Sequence, residues 1–148
     1  MKVNRKIGAG REALRQFNRR IGVLKNDPYG SGLTLSQGSA LVEIERAGKL
    51  RPQGLVSLLN LEKSSVSRLI SVLEEKNLIT VGDDPNDGRG KVVGLTAAGK
   101  RMVGKINEAA DSAVEELYRF LSAEEQVKLE AAFLLMSQSL RAAAEAEK

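Results

Sequence analysis

The 148-residue sequence contains no cysteine, no histidine and no tryptophan. Without thiols there is no disulfide scaffold, no thiol redox switch and no cysteine nucleophile. Without imidazole there is no Ser-His-Asp triad, and with neither there is no zinc site built from Cys and His. Aromatic residues are only five: Phe17, Tyr29, Tyr118, Phe120 and Phe133. They are too few and too scattered to form a platform on which nucleobases stack, which argues against single-stranded nucleic acid as a partner. No run approaches the roughly 18 apolar residues that a membrane-spanning helix requires, and Met1–Ala9 lacks the pattern of a secretory signal. The expected setting is the cytoplasm, with no membrane partner.

What is present is a globular composition, 42% hydrophobic and 28% charged, enough to bury a core in one domain. The net charge of +4 is unevenly spread. Residues 1–26 hold eight basic and one acidic side chain, residues 49–105 hold ten and six, and residues 106–148 hold four and nine. A basic front and middle with an acidic tail fits a polyanionic partner, or else a set of solvated helix faces.

Periodicity predicts a helix over about 9–26, with Leu14, Phe17, Ile21 and Leu24 on one face and Arg11, Arg15 and Arg19 on another. Asp27 to Gly32 is a loop. Thr34 and Gln37 form a capping box for a second helix that ends at Gly48 and buries Leu41 and Ile44. After Pro52 a short helix covers 53–59, with Leu55, Leu58 and Leu59 apolar, and stops at Asn60, a residue that tolerates the left-handed conformation. A further helix spans 63–76. Its Val66, Leu69, Ile70 and Leu73 form one apolar stripe, and Ser64, Ser67, Arg68, Ser71 and Glu75 lie opposite.

Two β-rich stretches follow, 78–82 and 91–95. The turn-rich segment 83–90 between them reads as a loop too long for a tight hairpin. It is not a calcium loop, because Pro85 and Gly94 fall where ligands are required. Gly8 and Gly10 follow no strand and are not a dinucleotide motif. Thr96 caps a long helix to about 120, with a stripe from Met102 to Leu121. Ser122 and Glu125 form a second capping box for a last helix, whose Ala/Glu-rich end is expected to fray.

Two helices joined by a tight turn, followed by a hairpin, define a winged helix-turn-helix. In that geometry the second helix enters the major groove with its N-terminal residues leading. Those are Ser64, Ser65, Ser67 and Arg68, with Ser71 a turn further on. Arginine can pair with guanine O6 and N7, and serine can contact phosphates or bases. Arg89 and Lys91, beside Gly88 and Gly90, suit a minor groove or flanking phosphates.

Residues Leu55–Ile70 resemble the helix-turn-helix of the MarR family of bacterial regulators. Asp87-x-Arg89 followed by Val93-x-Leu95-Thr96-x-x-Gly99 resembles that family's wing. Asn60 and Asn77 stand where the family commonly has glycine. The resemblance implies a mainly α fold with a small two- or three-stranded β-wing and flanking dimerisation helices. It implies a winged lobe at about 34–104 and a helical dimerisation lobe from about 1–26 and 105–148. It implies a homodimeric repressor of a palindromic operator in double-stranded DNA, with half-sites about one turn (roughly 10 bp) apart. It assigns wing roles to Asp87, which holds the wing arginine, and to Arg89. It further implies a small-molecule effector, often a phenolic anion, although no residue here identifies one. No cofactor, metal or enzymatic activity is expected. The alternatives are a winged helix used for protein–protein contact, or the DNA-binding-like part of a fused protein. The second rests on Phe17–Leu24, which also resembles the front module of MarR–acetyltransferase fusions, although no acetyl-CoA loop is present.

Overall fold

A computed structural model describes residues 7–20 and 25–146. In chain order the elements are α1 (Ile7–Arg20), α2 (Leu35–Ala47), β1 (Lys49–Leu50), α3 (Pro52–Leu59), α4 (Lys63–Glu75), β2 (Ile79–Asp84), β3 (Asp87–Leu95), α5 (Ala97–Tyr118) and α6 (Ala123–Ala146). The strands form one antiparallel sheet of order β1-β3-β2. The fold is the expected mainly α winged helix with a three-stranded sheet. The chain divides into two compact units, Met1–Ala110 and Asp111–Lys148.

Local chemistry sets most boundaries. The Thr34 hydroxyl accepts from the Gln37 amide at 3.3 Å while the Gln37 side chain accepts from the Thr34 amide at 3.1 Å. Gly48 closes α2 at φ 73°. Pro52 opens α3, where its missing N–H costs nothing. Asn60 (φ 50°) and Asn77 (φ 55°) are the non-glycine residues of positive φ among those described. After each, the chain folds back: Leu61 N–H reaches Val56 O at 3.3 Å, and Leu78 N–H reaches Leu73 O at 3.0 Å. Asparagine therefore performs the helix-ending turn that glycine would perform.

The core of the first unit gathers Leu41 and Ile44 of α2, Leu55 of α3, Val66, Leu69 and Leu73 of α4, Ile79 and Val93 of the sheet, and Val103 and Ile106 of α5. This fixes α4 by its apolar stripe and turns its other face outward. Leu58, read as apolar on α3, is 54% exposed. Among the described residues no helix is long and apolar enough to cross a membrane.

Three expectations need correction. The first helix is described over Ile7–Arg20, and residues 25–26, where the expected helix would end, form a bend instead. The Asp27 carboxylate accepts from Ser31 and Gly32 amides at 2.8 and 2.9 Å and organises the loop. Ile21 and Leu24 of that expected face lie outside the described residues. The segment 83–90 is not a long loop. β2 and β3 continue into it until Asp84 pairs with Asp87, leaving Pro85 and Asn86 as the turn, and a register shift absorbs Gly88, Arg89 and Gly90 as a bulge. Finally, the Ala/Glu-rich tail is helical through Ala146, in keeping with the high helix propensity of both residues.

Candidate nucleic-acid interface

α4 is packed on its apolar side against α3, α2 and β2. Ser64, Ser65, Ser67, Arg68 and Ser71 are all exposed, as the sequence periodicity requires. The Ser71 hydroxyl donates to the Ser67 carbonyl at 3.2 Å, so its proton is committed to the helix backbone. Among the described residues the Arg68 guanidinium has no side-chain partner. It lines a groove of about 340 Å³ with Ser65, Leu69 and Val72 of α4 and with Thr34, Ser36 and Gln37 at the start of α2.

The wing treats its predicted residues differently. Arg89 sits in the bulge between two glycines, exposed and, among the described residues, without a partner for its guanidinium. Asp87 does hold Arg89, but by its backbone: Asp87 Oδ1 accepts the Arg89 N–H at 3.2 Å. Lys91 is already paired, its ammonium 2.5 Å from Asp83 Oδ1 across the strands. That contact keeps the Asp83 carboxyl below the usual range, with the hydrogen bond from Lys91 the main cause.

Two residues not singled out in the sequence complete the wing. Asp84 is the buried charged residue among those described, at 7% exposure. Its Oδ1 accepts from the Asn86 amide at 2.8 Å, and Arg51 at the start of α3 donates to its Oδ2 at 2.6 Å. The Asn86 amide first, and Arg51 second, hold the Asp84 carboxyl below its ordinary range. Arg51 and Asp84 are 33 residues apart, and nothing in local spacing announces their pairing. The only available signal was the presence of two acids beside a turn.

A helix pair with a left-handed turn, an exposed serine and arginine face, and a bulged hairpin carrying an exposed arginine define a winged helix-turn-helix protein. The MarR family model matches residues 31–90 of the chain. Solved structures agree over nearly the whole chain. A probable transcriptional regulator from Pseudomonas aeruginosa is 29% identical, with TM-score 0.72 over 89% of this chain and 97% of that one. MarR from E. coli in its reduced form is 25% identical, with TM-score 0.73 over 90% and 98%. BpsR from Bordetella bronchiseptica, described for regulation of its DNA binding by 6-hydroxynicotinic acid, is 23% identical, with TM-score 0.69 over 88% and 98%. At that identity the likeness to BpsR is one of fold.

Proposed function

We propose that this protein is a homodimeric, ligand-responsive transcriptional repressor that binds a palindromic operator in double-stranded DNA. The observation that carries the reading is the outward face of α4, where Arg68 stands among serines with, among the described residues, no side-chain partner for its guanidinium. A cation kept exposed beside small hydroxylated neighbours can approach base edges closely and pair with guanine. Ser64, Ser65, Ser67 and Ser71 are assigned to the recognition face. In the wing, Arg89 is assigned to the minor groove or its phosphates, Asp87 to holding the Arg89 backbone, and Lys91 to a phosphate contact made by exchanging Asp83 for DNA.

Dimerisation is supported by α6. It is 24 residues long and buries none of its described side chains, and Val127, Leu134, Leu135, Met136 and Leu140 are each 47–70% exposed. An apolar face of that extent is the mark of a partner surface. Responsiveness to a small molecule is supported by the likeness to BpsR, whose DNA binding is regulated by 6-hydroxynicotinic acid. The role is regulatory and non-enzymatic, since a sequence without His or Cys lacks the commonest acid-base and nucleophilic groups. A protein acting on a bacterial operator works in the cytoplasm.

The test is selection of bound duplexes from a random pool at about 150 mM salt, where non-specific phosphate binding is suppressed. An enriched palindrome is expected. Absence of enrichment from folded, dimeric protein would overturn the reading. The second reading, a winged helix for protein contact, is favoured by the excess of serine over Lys and Arg on the α4 face. It would then take precedence.

A further inference from the structure

We propose that Arg51 is a positioning residue for the wing, fixing the backbone that presents Arg89 through Asp84 and Asp87 without itself reading DNA. The proposal rests on the DNA-binding reading above. Arg51 is held rigidly at its own end: it is the cap residue of α3, and its carbonyl accepts from the Gly54 amide at 2.8 Å and the Leu55 amide at 3.4 Å. Its Nε and Nη2 both reach Asp84 Oδ2 at 2.6 Å, and Nη2 lies 3.6 Å from Asp87 Oδ2. The two aspartates are register partners across the hairpin. Like charges directly opposite each other repel, and the guanidinium placed against both removes that repulsion.

Each carboxylate spends its other oxygen on the wing backbone. Asp84 Oδ1 takes the Asn86 N–H at 2.8 Å, and Asp87 Oδ1 takes the Arg89 N–H at 3.2 Å. The bulge is seated against the same pair: a β-carbon on Gly90 would meet Asp84 Cβ at 3.3 Å and Asp87 Oδ2 at 3.4 Å. An unbroken path of charge-assisted contacts therefore runs from the start of the helix-turn-helix to the amide of Arg89. Loss of Arg51 leaves two adjacent carboxylates uncompensated and frees the bulge. Arg89 must then be ordered at the expense of binding.

Arg51→Gln removes the charge and keeps much of the side chain, and Asp87→Ala removes the acceptor of the Arg89 amide at a half-exposed position. On the duplex selected by the wild-type protein, each is expected to weaken binding about ten- to 150-fold, the scale of a lost hydrogen bond to a charged group. Combined with Arg89→Ala, neither should weaken binding further than Arg89→Ala alone. Amide hydrogen exchange on the free proteins should quicken at Asn86 and Arg89 and stay unchanged along α4. Additive losses with unchanged exchange would mean that Arg51 meets DNA directly, and would overturn the proposal. So would wild-type affinity in both variants. If Arg51→Gln does not fold, Asp87→Ala carries the same test. If the wild-type protein selects no duplex, the DNA-binding reading fails, while the exchange measurement still decides whether Arg51 orders the wing.

Discussion

Gly99, in the first turn of α5, lies against the main-chain carbonyl of Leu78, so that a β-carbon at position 99 would clash with that oxygen. The same carbonyl accepts from the Thr96 amide at 3.0 Å, and the Thr96 hydroxyl accepts from the Gly99 amide at 2.9 Å. The Thr96-x-x-Gly99 pair is thus one joint, in which threonine caps α5 and glycine lets it lie on the chain leaving α4.

Gly99→Ala should therefore destabilise the fold by at least about 1–3 kcal/mol, because the obstacle is backbone and cannot swing aside. Gly104, also within α5, has nothing within 4 Å of its would-be β-carbon. There the alanine should raise stability by up to about 1 kcal/mol through helix propensity. Denaturant unfolding with unchanged m-values checks both. Equal effects at the two glycines would contradict the joint.

The pair also shows what the sequence made legible. Short-range devices were readable because both partners lie within one turn: the Thr34/Gln37 box, the Ser122/Glu125 box (3.3 and 2.8 Å) and the stops at Asn60 and Asn77. The outward face of α4 was readable because helical period and apolar stripe agree. The short hairpin turn was hidden, since the Gly88-Arg89-Gly90 bulge has the composition of a loop. The Arg51–Asp84 contact was hidden by 33 residues of separation, and β1 by having only two residues.

Arg68→Ala should cost about 1–3 kcal/mol of discrimination at one base-pair position, the worth of a good bidentate contact to guanine. Competition between the selected operator and duplexes altered at single positions measures this. A variant that keeps full discrimination would place Arg68 outside the reading set and leave the work to serines.

Arg89→Ala should act differently. Among the described residues its guanidinium has no protein partner to release, so on meeting a phosphate it displaces counterions directly. Affinity should fall at every sequence, and the slope of log K against log salt should drop by about one. Lys91→Ala should change less, because its ammonium must first leave Asp83. An unchanged slope in Arg89→Ala would show that the wing stays clear of phosphate.

Leu140 is 70% exposed and Leu134 is 59% exposed on α6. If this face meets a second copy, Leu140→Glu or Leu134→Glu should convert the dimer to monomer in sedimentation, since a buried unpaired carboxylate is not tolerated. Helix content should persist. Wild-type association in both variants would move the interface elsewhere.

Acid should loosen the wing in a defined direction. Asp84 is held below the ordinary aspartate pKa of about 3.9, first by the Asn86 amide and then by Arg51. Just below that value the unfolded chain binds more protons than the folded one, so stability rises with pH. The contribution is complete above about pH 5 and is lost as pH falls through the unfolded and then the folded value. Asp84→Asn retains an oxygen for the Asn86 amide and cannot titrate. Asp27, Asp83 and Glu125 are also held low, but they are common to both proteins. Unfolding free energy measured downward from pH 5 should therefore fall more steeply in the wild-type protein than in Asp84→Asn, and the two should run parallel above pH 5. Parallel curves throughout would mean that the Asp84 carboxylate carries no proton-linked stability, and that the wing is held by its backbone ladder alone.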